Sequence, residues 1–63
     1  SYTIVRHLMT TGETLTLAKG RTPQDSLREA RRIVKESGLD GVSIIEDSSG
    51  LSFDLARFAA KHG

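Results

Sequence analysis

The sequence predicts one small α+β domain, in which a small antiparallel sheet carries one main helix on one face. Three observations predict it: a strongly marked helix between Thr22 and Gly38, segments rich in β-branched residues on both sides of it, and short glycine-containing turns between these segments. A length of 63 residues leaves room for a single core, so residues 1–63 form one domain. The predicted order of elements is ββαββ(α).

The first two elements are predicted to form a β-hairpin. Tyr2 to Met9 lacks Gly and Pro and is rich in β-branched residues, which favours a strand. Neither of its alternating side-chain sets is purely apolar, so the pattern does not show which face meets the core. After a turn at Gly12, residues 14–18 alternate cleanly, with Leu15 and Leu17 on one face.

The main helix is predicted from Pro23 to Ser37. Thr22 fits the N-cap and Pro23 the first helical position, while Asp25 completes a variant capping box. Gly38 fits a left-handed stop. Apolar or small residues recur at three- and four-residue spacing and form one stripe, namely Leu27, Ala30, Ile33, Val34 and Ser37.

The residues after the helix predict a third strand, Val42 to Glu46, and a hairpin turn before Leu51. Two interpretations fit the last segment. In the preferred one, Leu51 to Phe53 is a fourth strand and Leu55 to His62 is a helix capped by Asp54. In the other, the strand continues to Phe58. Strands joined by short turns pair mostly antiparallel, which leaves one sheet face and the edge strands open.

Composition excludes several classes of protein. A net charge of +1 argues against a polybasic DNA coat or membrane anchor, and no apolar run is long enough to span a bilayer. The sequence has no cysteine, so disulfides and thiolate metal sites are excluded. Together with an opening segment unlike a signal peptide, this favours the cytoplasm.

A basic stripe on the predicted helix allows two interpretations. It consists of Arg28, Arg31, Arg32 and Lys35. These side chains could contact nucleic-acid phosphates. The favoured interpretation is a solvated face with intrahelical ion pairs, for which the spacing predicts Asp25–Arg28, Glu29–Arg32 and Arg32–Glu36.

No residue pattern predicts catalysis, a cofactor or a metal site. Glu46 and Asp47 are explained by turn chemistry, and His62 suits the negative end of a helix dipole. His7 has no His or Cys partner at metal-binding spacing. We therefore expect a non-enzymatic protein and identify no small-molecule ligand; an enzyme or ligand carrier would need a pocket assembled across a dimer interface.

The small, cysteine-free core predicts stabilisation by association, either as a homodimer or with another protein. The candidate interface residues are Tyr2, Ile4, Leu55 and Phe58. The order of two strands, a helix that starts at Thr22-Pro23, and another strand resembles small bacterial ββαβ modules, including antitoxin-like partial RNase H folds. That resemblance rests on element order and the Thr22-Pro23 helix start, and no functional residue is carried over from it.

Overall fold

The computed structural model describes residues 1–62 and confirms the predicted α+β order. The strands are β1 (Tyr2–His7), β2 (Thr14–Gly20), β3 (Val42–Glu46) and β4 (Leu51–Asp54), and the helices are α1 (Pro23–Ser37) and α2 (Leu55–His62). The strands form one sheet in the order β2-β1-β3-β4, with every neighbouring pair antiparallel. Neither helix has the length and apolar character required to cross a membrane.

One face of the sheet packs against both helices. Ile4 on β1 lies opposite Ile44 on β3, and Ile44 lies opposite Phe53 on β4, so these three side chains share a face. The buried core on this side consists of Ile4, Leu27, Ala30, Val42, Ile44 and Phe58. Because neighbouring residues of a strand alternate, Thr3 and Val5 belong to the opposite face, which neither helix covers.

The caps of α1 follow the prediction. The Thr22 side chain accepts a hydrogen bond from the Asp25 N–H at 3.1 Å, and its backbone is extended. Gly38 adopts a φ of 67°, where its N–H donates to the Val34 carbonyl at 2.8 Å. Glycine takes this left-handed conformation without steric cost, which explains why the helix ends there.

The junction between β2 and α1 is tightly packed around Ser26. This side chain is fully buried, and its Oγ donates to the Thr22 carbonyl at 2.8 Å. A Cβ at Gly20 would overlap the Ser26 side chain and approach its Cα to 3.0 Å. Gly20 therefore permits the close approach of the end of β2 to the first turn of α1.

The first hairpin differs from the prediction at three points. β1 ends at His7 instead of Met9, because Leu8 belongs to the turn. Its N–H donates to the Glu13 carbonyl, and its carbonyl accepts from the Gly12 N–H. β2 continues two residues beyond Ala18, to Gly20, because β1 still provides partners there. The clean alternation is interrupted by a β-bulge: Ala18 faces Ile4 and Thr16 faces Val5, which leaves Leu17 as the extra residue.

The final segment follows the preferred interpretation, and the longer strand to Phe58 is wrong. β4 is one residue longer than predicted and leads directly into α2, whose Arg57 N–H donates to the Asp54 carboxylate at 2.7 Å. Phe58 is fully buried, with its ring edge-on to Tyr2 and Phe53. Burial of this ring on the helical face explains why the segment folds as a helix.

Candidate functional site

The large apolar side chains most exposed to solvent lie on the two edge strands and in the β1–β2 turn. Among residues 1–62, the exposed large hydrophobic residues are Met9 (95%), Leu15 (42%) and Leu51 (55%). Met9 lies in the β1–β2 turn and Leu15 on edge strand β2, while Leu51 begins the opposite edge strand, β4. Neither helix carries such a residue, so the apolar surface available for contact lies on the hairpins.

The β2 edge has few of the features that normally block strand pairing. It is seven residues long and contains no proline, and its one charged residue is Lys19. Lys19 does not extend away from the sheet, because its Nζ donates to Thr3 Oγ1 at 2.8 Å and lies 3.7 Å from Asp47 Oδ2. The Leu17 bulge is the only interruption to its pairing with β1.

Asp47 is the acceptor at the centre of this network. Its carboxylate accepts from Thr3 Oγ1 at 2.6 Å and from Ser1 Oγ at 2.7 Å. The Thr3 hydrogen bond, then the Ser1 hydrogen bond and the charge of Lys19, hold the pKa of Asp47 below its ordinary value of 3.8. The network joins β1, β2 and the end of β3 on the sheet face that the helices leave open.

The β4 edge is better protected. It has four residues and continues into α2 without a loop. Lys61 of α2 lies over the Phe53 ring, with its Nζ 4.8 Å from the ring centroid. The short strand and the covering lysine make β4 a poorer site for pairing than β2.

The predicted interface residues lie mainly in the core. Ile4 and Phe58 are fully buried within the chain itself, so they offer no surface to a second molecule. Tyr2 and Leu55 are partly buried and pack against the same core. The sequence pattern identified these four as apolar, but it could not separate the core of one chain from an interface between two.

The basic stripe of α1 divides into a paired and an unpaired part. Arg32 forms ion pairs with both Glu29 and Glu36, as predicted, and these two carboxylates raise its pKa above the ordinary value. The predicted Asp25–Arg28 pair is not formed. Arg28, Arg31 and Lys35 are exposed, and no acidic side chain of residues 1–62 lies within ion-pair distance of them.

The remaining chemical candidates make local contacts. His7 Nδ1 bonds Thr14 Oγ1 at 3.0 Å, and Glu46 accepts from Ser49 in the β3–β4 turn at 2.7 Å. The His62 ring packs on Phe58, with 4.6 Å between centroids, and its Nε2 has no hydrogen-bond partner in the described chain. In residues 1–62, no three His, Cys, Asp or Glu side chains are grouped to hold a metal ion.

A shallow cavity of about 240 Å³ lies beside the β1–β2 turn. Its lining includes Arg6 and Asp40, whose side chains bond each other at 3.2 Å, together with Met9. This volume is below the range of about 300–1,000 Å³ usual for ligand pockets. Arg6 contacts Asp40 through two of its nitrogens, so an anionic ligand would have to compete with the Asp40 carboxylate.

Comparison of the chain with protein-family models, with curated proteins and with solved structures finds no match in any of the three.

Proposed function

We propose that the protein is a non-enzymatic binding module that associates through its β2 edge, and that its partner is a second copy of the same chain. The observation that carries this proposal is a seven-residue edge strand that has no proline and no outward-held charge and that carries the exposed side chain of Leu15. An open edge presents unpaired N–H and C=O groups, which a second strand can satisfy.

The sequence of β2 is compatible with self-pairing. Lys19 is its only charged residue, so two antiparallel copies bring like charges together only in the register centred on Lys19. In a register centred on Leu17, the two Lys19 side chains lie apart, and β2 of the second copy covers the open edge beside Leu15. This pairing would extend the sheet across the dimer and shield Leu15 from water.

A chain of this size also gains from association. A domain of about 60 residues buries only about 60% of the surface that its unfolded chain exposes, so its stability is marginal. The chain lacks the cysteines that stabilise many small domains. That lack of cysteine is also the support for placing the protein in the cytoplasm, where thiols stay reduced and small domains do without disulfides.

The test is the mass in solution, measured by light scattering at protein concentrations up to about 100 μM, where a dimer of micromolar affinity is fully formed. We expect twice the mass of 6.9 kDa for the unmodified chain. Leu15→Lys should give the monomer mass, because it puts a charge on the edge strand in place of the apolar side chain that pairing would bury. Leu51→Lys is the matched control on the β4 edge and should remain dimeric.

Circular dichroism of each variant shows whether it is folded, so loss of the dimer is distinguished from loss of the fold. A monomeric unmodified chain at the highest concentration would refute the proposal. So would a dimer that persists in folded Leu15→Lys and dissociates in Leu51→Lys.

A further inference from the structure

The two layers of the fold carry opposite net charges. Residues 21–37 and 55–62, which contain both helices, hold seven of the nine basic side chains and three of the eight acidic ones, a net of +4. The remaining residues, which form the sheet and its turns, hold two basic and five acidic side chains, a net of −3. The overall charge of +1 conceals this separation.

The ion pairs increase the contrast. Both basic residues of the sheet layer are paired, Arg6 with Asp40 and Lys19 with Asp47. In the helical layer, Arg32 forms ion pairs with both glutamates of α1, Glu29 and Glu36. Six basic side chains of the helical layer have no ion pair within the described part of the chain, namely Arg21, Arg28, Arg31, Lys35, Arg57 and Lys61.

From this charge separation we infer that the outer surface of the helical layer binds the phosphate backbone of duplex nucleic acid. Arg28, Arg31 and Lys35 form its centre, because they are exposed at three- and four-residue spacing on one helix. Each of them that neutralises a phosphate releases condensed counterions and adds affinity without reading sequence.

The distribution of apolar and aromatic side chains favours a duplex over the other polyanions. Of the three aromatic residues, Tyr2 and Phe53 both pack edge-on against the buried Phe58, so they are not available to stack on the bases of a single strand. A membrane-surface helix needs large apolar side chains directed at the lipid. In the described chain, the exposed side chains of that kind lie on the hairpins instead.

The test is binding to a labelled DNA duplex of about 20 base pairs, measured by fluorescence anisotropy between about 50 and 200 mM salt. We expect a dissociation constant in the range of about 1–100 μM, with log K falling against log salt at a slope near −2.7 for three phosphate contacts. Arg31→Gln should weaken binding and make the slope shallower by about 0.9. Light scattering of the same samples shows whether monomer or dimer binds, so the result does not depend on the dimer proposal.

A matched control separates the helical surface from overall charge. Ser52→Glu lowers the net charge by one, as Arg31→Gln does, but Ser52 is exposed on β4. It should leave the salt slope unchanged. Equal effects of the two variants would overturn the assignment to α1, and so would absence of duplex binding at the lowest salt. Tighter binding to the single strand, or binding to phosphatidylserine vesicles without binding to the duplex, would also overturn it.

Discussion

Helices α1 and α2 pack on the same face of the sheet, but the chain specifies them in different ways. α1 has 15 residues, a side-chain N-cap, a proline at its start and a left-handed glycine at its end. α2 has eight residues and follows β4 without a loop, with Asp54 as both the last strand residue and the cap. Isolated helices shorter than about 12–15 residues are marginal in water, so α2 must depend on packing.

The difference shows where local sequence determines structure and where the tertiary fold does. The signals that start and stop α1 lie within it or next to it, and they agree with its apolar stripe. In α2 the residues from Leu51 to Phe58 fit a strand as well as a helix. Complete burial of Phe58 among residues of α1, β1 and β3 selects the helix.

The largest effect is expected from Phe58→Ala. Truncation of a buried phenylalanine leaves a cavity and costs about 3–5 kcal/mol, a large fraction of the stability of a small domain. We expect the free energy of unfolding in urea to fall by this amount, with α2 amides losing protection from hydrogen exchange first. Phe58→Leu keeps most of the side-chain volume and should remain folded. It allows the measurement to be made even if Phe58→Ala does not fold.

Ala60→Gly is the control for α2, because Ala60 is exposed and the change lowers helix propensity by about 1 kcal/mol without altering the core. If this control costs as much as Phe58→Ala, helix propensity and not packing maintains α2, and the contrast with α1 is wrong.

An intermediate effect is expected from the two caps. Thr22→Ala and Asp54→Ala each remove one acceptor for a backbone N–H and should each cost about 1 kcal/mol. The two substitutions should lower the free energy of unfolding by similar amounts, but they should change hydrogen exchange in the two helices differently. Hydrogen exchange should show α1 intact beyond its first turn after Thr22→Ala, since its other signals remain. After Asp54→Ala, exchange should accelerate along all of α2.

Thr22→Ser and Asp54→Asn keep a capping oxygen and serve as controls that should recover most of the stability. If α1 in Thr22→Ala and α2 in Asp54→Ala lost exchange protection to the same extent, the proposed difference between a locally specified α1 and a packing-dependent α2 would be wrong.

The same distinction between local and tertiary information explains what the sequence could predict elsewhere. The turn at Gly38, the extent of β3 and the pairing of Arg32 with Glu29 and Glu36 follow from residues within a few positions. The bulge at Leu17 does not follow from neighbouring residues, because it depends on how β1 and β2 align across the sheet. The burial of Ile4 and Phe58, two of the candidate interface residues, within the chain itself has a related reason: apolar character predicts burial but not which residues provide it.

The candidate surfaces were only partly predictable. The composition of the basic stripe is visible in the sequence, whereas the free state of Arg28 depends on which side chains the fold places near it. The open β2 edge depends on sheet order, since β1 could have been the edge strand had β3 paired with β2. Strand order arises from contacts between residues far apart in the chain, and single-sequence patterns contain little information about it.

The smallest effect concerns the region that neither helix covers, the network around Asp47. The pKa of Asp47 is lowered in the folded state, so its contribution is complete above the unfolded value near 3.8 and is lost as pH falls through the lowered folded value. As the pH is lowered below about 4, we expect the urea concentration at the unfolding midpoint to decrease in the unmodified chain. The decrease should be less steep in Asp47→Asn. Because this carboxylate is exposed to solvent, the difference should be small and should shrink further at high salt.

Glu13→Gln is the control for this measurement, because Glu13 lies exposed in the β1–β2 turn, away from Asp47. Its pH profile should match that of the unmodified chain. Parallel profiles for Asp47→Asn and the unmodified chain would show that the hydroxyls of Ser1 and Thr3 do not stabilise the charged carboxylate. If the urea midpoint decreased more steeply with falling pH in Asp47→Asn, the folded state would disfavour the ionised carboxylate. That result would contradict the stabilisation expected from the hydrogen bonds that Asp47 accepts.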